Sequence, residues 1–195
     1  MYEIRTDLAL ETREKYEADN VEIKGVRLEK ERKCDDILIT TMVIETENGA
    51  RSMGRPRGNY ITIEAASMDD ENEEYHRIIS EQLAHIIRRL APEGEQLSAL
   101  VVGLGNREVT SDSLGPKVAD QLFITRHMMR EFGMDVFGKK QKQVSAVVPG
   151  VMAQTGMESS EIIRGILQET KPDYVIAVDA LAARSTKRLN RTIQI

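Results

Sequence analysis

The stretch LSALVVGLGNREVTSDSLGPKVADQL, residues 97 to 122, decides the fold. An unbroken apolar run ends in two glycines and an asparagine, Gly103, Gly105 and Asn106, and an acidic residue, Asp112, then precedes a helix-like segment. A continuous apolar run bounded by turn residues reads as a strand buried on both faces. The pattern repeats downstream. The helical segment runs as one piece to a stop at Gly133, VSAVVPG from Val144 is a second short strand, and SSEIIRGILQETK from Ser159 has apolar residues at helical spacing. DYVIAVDAL from Asp173 is a third buried strand, and RTIQI from Arg191 begins a fourth. Strands alternating with helices imply parallel pairing with helices on the faces, and the functional ends of such sheets are the carboxyl ends of the strands.

Upstream the period changes. VEIKGVRLEK from Val21, ILITTMVIE from Ile37 and YITIEA from Tyr60 read as strands of a hairpin-rich layer. Between the last two, ENGARSMGRPRGN carries Arg51, Arg55 and Arg57 on what reads as a turn-rich basic loop, suited to an acidic substrate or simply solvated. Ile78, Ile79, Leu83, Ile86, Ile87 and Leu90 then repeat at helical spacing, with acids in the first turn, arginines in the last, and Pro92 and Gly94 as stop signals. The expected architecture is α/β: a mostly parallel sheet flanked by helices over residues 97–195, with a β-rich portion over 20–66, in one domain of 195 residues.

Composition narrows the function. A formal net charge of -5 argues against nucleic acid as a direct partner, because phosphate binding needs a basic face. No window approaches the ~20 apolar residues of a membrane helix, and no signal peptide is evident, so a cytoplasmic protein without membrane contact is expected. The single cysteine, Cys34, allows no intrachain disulfide; its neighbours Asp35 and Asp36 fit a passive thiol.

Which chemistry does the 101–122 loop serve? A dinucleotide fingerprint fails, since Gly103 and Gly105 lead into Asn106, Arg107 and Glu108 rather than opening a helix, and a carboxylate at Asp112 repels phosphate. No Gly-Lys-Ser/Thr, His-Glu-x-x-His, Cys-x-x-Cys or Gly-x-Ser-x-Gly motif occurs. His76 and His85 are nine residues apart on one helix and face roughly opposite ways, and His127 reads as packing or helix-end charge compensation. Two acids remain. Asp112 can be a helix N-cap, and Asp179, at the end of a very apolar strand, can be a buried acid bonded to loop amides. Two carboxylates at the ends of neighbouring strands can instead share a proton and activate water, or bind a hard metal ion. The residue pattern is compatible with each use.

RTDLALETRE, GVRLEKE, VVGLGNREVTSDSLGPKV, ITRH, VVPGVMAQTGMESSEII, KPDYVIAVDALAARS and RTIQI, in this order over essentially the whole chain, resemble the germination proteases of spore-forming Firmicutes. The resemblance implies an α/β fold like that of hydrogenase maturation endopeptidases, in which the corresponding strand ends carry metal-binding acids. It implies an endopeptidase that degrades small acid-soluble spore proteins in the germinating spore core through an aspartic-type pair matching Asp112 and Asp179, beside a loop of Gly103, Gly105 and Asn106; no cofactor is expected, and a metal-dependent peptidase on the same scaffold is the alternative. It also implies a homo-oligomer, in the family a tetramer, and a zymogen. Thr6-Asp7-Leu8-Ala9-Leu10-Glu11 follows the Thr-Glu-Phe/Ile-Ala-Ser-Glu pattern that the family cuts after its acid, so residues 1–7 are expected to be a propeptide released between Asp7 and Leu8; a segment simply packed on the domain is the alternative. Family members continue beyond TIQI with a glycine-rich segment. The sheet of this chain is therefore expected to be incomplete at its C-terminal end, with the alternative that such a chain binds substrate or sister subunits without cleaving.

Overall fold

The computed structural model describes residues 6–11, 24–34, 36–68, 70–133 and 142–195. The start of the expected propeptide and residues 20–23 of the β-rich portion lie outside the described residues, as does the side chain of Cys34. The chain forms two compact units, one of residues 1–86 with 181–195 and one of residues 87–180.

The first unit is an antiparallel sheet of β1 (Val26–Cys34), β2 (Ile37–Ile44), β3 (Gly58–Ala65) and β7 (Thr192–Gln194), in the order β1-β2-β3-β7. Alternate residues go to opposite faces. Ile39, Ile63 and Ile193 form one cross-strand row. They pack with Ile37, Ile61 and Ala65 under Ile79 and Ile86 of helix α2 (Glu73–Leu90). On the other face Met42 and Ile44 meet Met53 and Ala9. The segment RTIQI is thus a strand, but it pairs antiparallel with β3 instead of extending the parallel series. A three-residue strand carries too little pattern to name its partner.

The supposed basic loop also holds more order than its composition suggests. ENGARSM forms helix α1 (Glu47–Met53), opened by Thr46, whose hydroxyl accepts the Gly49 N–H at 3.1 Å, and closed by Gly54 at φ 61°. Serine or threonine before a helix and a left-handed glycine after it are its usual caps.

The second unit holds the parallel sheet: β4 (Ser98–Gly103) at the centre, β5 (Gln143–Val147) and β6 (Tyr174–Val178) on either side. Asp173 fixes the entry to β6, its Oδ2 accepting the Ser98 N–H at 2.7 Å and the Ser98 hydroxyl at 2.8 Å. These bonds hold its carboxyl below the ordinary aspartate range. The helical segment after β4 is two helices, α3 (Leu114–Asp120) and α4 (Arg126–Phe132), not one. The break serves the sheet. Buried Thr125 donates its N–H to the Val144 carbonyl at 3.0 Å and its hydroxyl to the Lys142 carbonyl at 2.7 Å, while that hydroxyl accepts the Val144 N–H. A threonine in the middle of an apparently helical run is the residue that leaves the helix to bind the start of β5. Two further helices, α5 (Met152–Thr155) and α6 (Ser159–Thr170), separate β5 from β6. No helix among the described residues is long and apolar enough to cross a membrane.

Candidate active site

At the carboxyl end of β4 the chain turns through Gly103, Leu104 and Gly105 and closes a tight loop back on Asp112. The Asn106 N–H donates to the Asp112 carbonyl at 2.9 Å. Gly105 has φ +110°, and a Cβ there would lie 2.1 Å from that carbonyl and 3.0 Å from Asp112 Oδ1. The glycine is required because the loop passes directly over the aspartate's own backbone. Residues Thr110–Asp112 form one 3-10 turn, and Ser113 takes the N-cap position of α3 without a side-chain capping bond. Asp112 is therefore not spent on capping this helix, and its side chain is half-buried.

The next strand arrives at the same place. The Leu104 N–H donates to the Val178 carbonyl at 2.8 Å, tying the loop after β4 to the last residue of β6. A Cβ at Gly115, in the first turn of α3, would lie 2.3 Å from the Leu104 carbonyl and 2.4 Å from that of Val178; one at Gly103 would lie 2.4 Å from the Gly115 carbonyl. Two glycines thus let three backbone segments meet, and Asp179 follows directly. Its carboxylate accepts the N–H of Ala180 at 2.8 Å. The expectation of a buried strand here is corrected, and with it the alternative of Asp179 as a buried acid: β6 alternates half-buried and exposed positions, and Asp179 is exposed. Desolvation does not mark it out; position does.

The loop after β5 joins from the other side. Gln154 Nε2 donates to Asn106 Oδ1 at 3.2 Å, and the same oxygen accepts the Glu108 N–H at 3.0 Å. Asn106 is therefore held by two donors, which fixes the loop between Gly105 and Asp112 from outside. Gln154 escaped the sequence reading because nothing local links it to a loop 48 residues away. Exposed Val109, Leu114, Met152 and Met157 give these loops an apolar rim. Arg107 pairs with Asp120 through two bonds, which keeps each charged. Among the described residues, no three His, Cys, Asp or Glu side chains come together as a metal-ligand set.

The Thr6–Glu11 segment is held wholly within the first unit. Asp7 exchanges bonds with Ala182: its N–H reaches the Ala182 carbonyl and its Oδ2 accepts the Ala182 N–H, each at 2.9 Å. The Asp7 carbonyl accepts Arg55 Nη2 at 2.8 Å and Gln194 Nε2 at 3.1 Å. Leu8, Ala9, Leu10 and Glu11 are all buried. Arg55, read from sequence as a loop cation, is half-buried and lies over the Tyr60 ring at 5.9 Å.

Glu11 was not singled out in the sequence. Its carboxylate accepts the N–H groups of Arg184 at 2.9 Å and Ser185 at 3.0 Å, with Arg188 Nη1 at 3.5 Å. Burial favours the neutral acid, but the Thr6 hydroxyl, the two amides and Arg188 outweigh it and hold Glu11 below the ordinary glutamate value. A carboxyl depressed on folding adds stability that is full above its unfolded value, about 4.3, and fades as the pH falls through its lower folded value. Urea unfolding will accordingly show stability declining as the pH drops below about 4.3, and Glu11→Gln will flatten that dependence while costing about 1–3 kcal/mol at neutral pH. A Glu11→Gln profile parallel to the parent would show that this acid does not anchor the segment.

The germination protease family matches residues 3–195. The chain is similar to the germination protease of Caldanaerobacter subterraneus subsp. tengcongensis, 45% identical over 98% of this chain and 58% of the relative. It is also similar to those of Clostridium perfringens, 41% identical over the whole chain and 60% of the relative, and of a Geobacillus species, 42% identical over the whole chain and 55% of the relative. It therefore spans a little over half the length of these relatives. On a match that runs nearly from end to end, the chain belongs to the germination protease family.

Proposed function

We propose that the protein is an endopeptidase in which Asp112 and Asp179 act as an acid–base pair on water. The observation that carries this reading is the convergence of the β4 loop and the end of β6: the Leu104–Val178 bond and the close approach at Gly115 bring the Asp112 loop and the start of the Asp179 segment to one edge of the parallel sheet. The ionised member draws a proton from water as its oxygen attacks the scissile carbonyl; the protonated member donates its proton to the carbonyl oxygen, and collapse of the tetrahedral intermediate returns a proton to the leaving amine. The exposed apolar rim suits an extended peptide with an apolar residue next to the scissile bond.

The substrates in this proposal are small acid-soluble spore proteins in the germinating spore core, cut after the acid of a Thr-Glu-Phe/Ile-Ala segment, and the working form is a homo-oligomer of four copies. The protein is a zymogen that cuts itself between Asp7 and Leu8. The bond is not accessible where it lies, since Leu8 is 1% exposed and the Asp7 carbonyl is clamped by Arg55 and Gln194. Processing therefore requires the segment to leave its seat. Arg55→Ala will raise the rate at which Leu8 appears as the new N-terminus, followed by N-terminal sequencing; protein that retains Met1 under conditions where substrate is cut contradicts self-processing at this bond.

A further inference from the structure

The seat of the Thr6–Glu11 segment reads features that every peptide carries, together with side chains that few combine. Gln194 grips the main chain twice: its Nε2 donates to the Asp7 carbonyl at 3.1 Å, and its Oε1 accepts the Ala9 N–H at 2.6 Å. A carbonyl and the N–H two residues further on occur in a peptide of any sequence, so this grip is general. Arg55 Nη2 donates to the same carbonyl at 2.8 Å, and its Nε is buried with no acceptor among the described residues.

Selectivity comes from the side chains. The Ala182 N–H donates to the Asp7 carboxylate at 2.9 Å, and the N–H groups of Arg184 and Ser185 donate to that of Glu11 at 2.9 and 3.0 Å. Arg188 also reaches Glu11, at 3.5 Å, but is shared with Glu64 at 2.8 Å, so the two amides carry the discrimination. Ala9 between them is fully buried against Met42, Ile44 and Met53, where a larger side chain would overpack. Leu8 is buried beside it, and the backbone turns helical at Ala9. Among the described residues, the Gln194 amide, Arg55 Nη2 and the N–H groups of Ala182, Arg184 and Ser185 spend these bonds on the segment alone. They are released together when it withdraws, as the proposed cut between Asp7 and Leu8 requires.

We propose that this seat is a recognition site for a peptide segment of another protein with the order acid, apolar residue, alanine, any residue, glutamate, and that Thr6–Glu11 is its resident competitor. The proposed substrates share that order, so naming them as the ligand rests on the peptidase reading; the capacity of the seat to bind such a peptide does not.

The test is fluorescence polarisation of dye-labelled acetyl-Thr-Asp-Leu-Ala-Leu-Glu-amide titrated with the full chain carrying Asp179→Asn, with or without Glu11→Gln. The apparent dissociation constant is the intrinsic one divided by the fraction of seats that stand empty, so loosening the resident with Glu11→Gln will tighten binding of the added peptide about tenfold. A peptide with asparagine and glutamine in place of its two acids will bind about tenfold more weakly, because it loses the charge-assisted bonds. Should Glu11→Gln fail to fold, Asp7→Ala, which takes away the acceptor of the Ala182 N–H, gives the same comparison. No binding to the loosened chain, equal binding of the uncharged peptide, or an affinity that ignores the segment variants would overturn the proposal. A loosened chain that ignores the peptide and dimerises on a sizing column would give the seat to a second copy and overturn it as well. Mass spectrometry of the recovered peptide reads cleavage apart from binding, so the failure of either reading is seen separately.

Discussion

Asp179→Asn will lower the rate of substrate cleavage by about a thousandfold or more while leaving the unfolding transition within ~0.5 kcal/mol of the parent, and Asp112→Asn will do the same. The rate effect follows from the pair's proposed roles: a positioned acid or base contributes roughly 10²–10⁴, and an amide can neither take a proton from water nor give one to a carbonyl at neutral pH. The small effect on stability follows from geometry. Asp179 is exposed, with one described bond, from the N–H of Ala180, which the amide oxygen of asparagine can still accept. Asp112 meets the loop chiefly through its backbone carbonyl, which substitution leaves in place. Because the two act as a unit, the double variant will lose little more than either single one. Circular dichroism and urea unfolding beside the rate assay separate the two effects; a variant that keeps full activity removes that residue from the chemistry.

Gly115→Ala will destabilise the second unit by about 3 kcal/mol or more and abolish cleavage with it. Two rules give opposite signs here, which makes the substitution informative. Gly115 is helical, and helix propensity alone would make alanine better by roughly 0.8–1.0 kcal/mol. Against this, the new Cβ would sit 2.3 Å from one carbonyl oxygen, 2.4 Å from another and 2.6 Å from the Leu104 nitrogen. None of these is a side chain that can rotate away, so α3 would have to lift from β4 and β6. Overpacking of this kind commonly costs about 1–3 kcal/mol, and backbone obstacles place it at the upper end. The same lift would break the Leu104–Val178 bond that joins the two aspartate-bearing segments. Thermal unfolding measures the cost. A stabilised Gly115→Ala protein would mean that the close approach of these segments does not exist.

Much of the fold was legible because its signals are local. The unbroken run at Ala99–Val102, the alternation in β2 and β3, and the isoleucine spacing of α2 each name their element without knowledge of a partner. Gly103 and Gly105 at the end of β4 likewise announce a sharp turn, and the candidate acids Asp112 and Asp179 lie in the segments that follow the carboxyl ends of β4 and β6. What escaped depends on distant residues. The break between α3 and α4 holds Thr125 against the start of β5, 17 to 19 residues on, and no pattern within the segment shows it. Helix α1 was hidden among glycines and arginines, although Thr46 and Gly54 stand at its ends as caps. The apolar run of β6 reads as a buried strand but is half exposed, because apolar composition does not say how many faces of a strand are covered. The Glu11 anchor joins residues more than 170 apart, which no local pattern can show.

Two carboxylates that cut a peptide bond without a dissociable metal should work in excess chelator. Mass spectrometry of a small acid-soluble spore protein incubated with the chelated chain will show one new pair of fragments, split after the acid of the Thr-Glu-Phe/Ile-Ala segment, and none with the Asp179→Asn variant. Cleavage that stops on chelation, or that persists in Asp179→Asn, would rule out the proposed carboxylate pair.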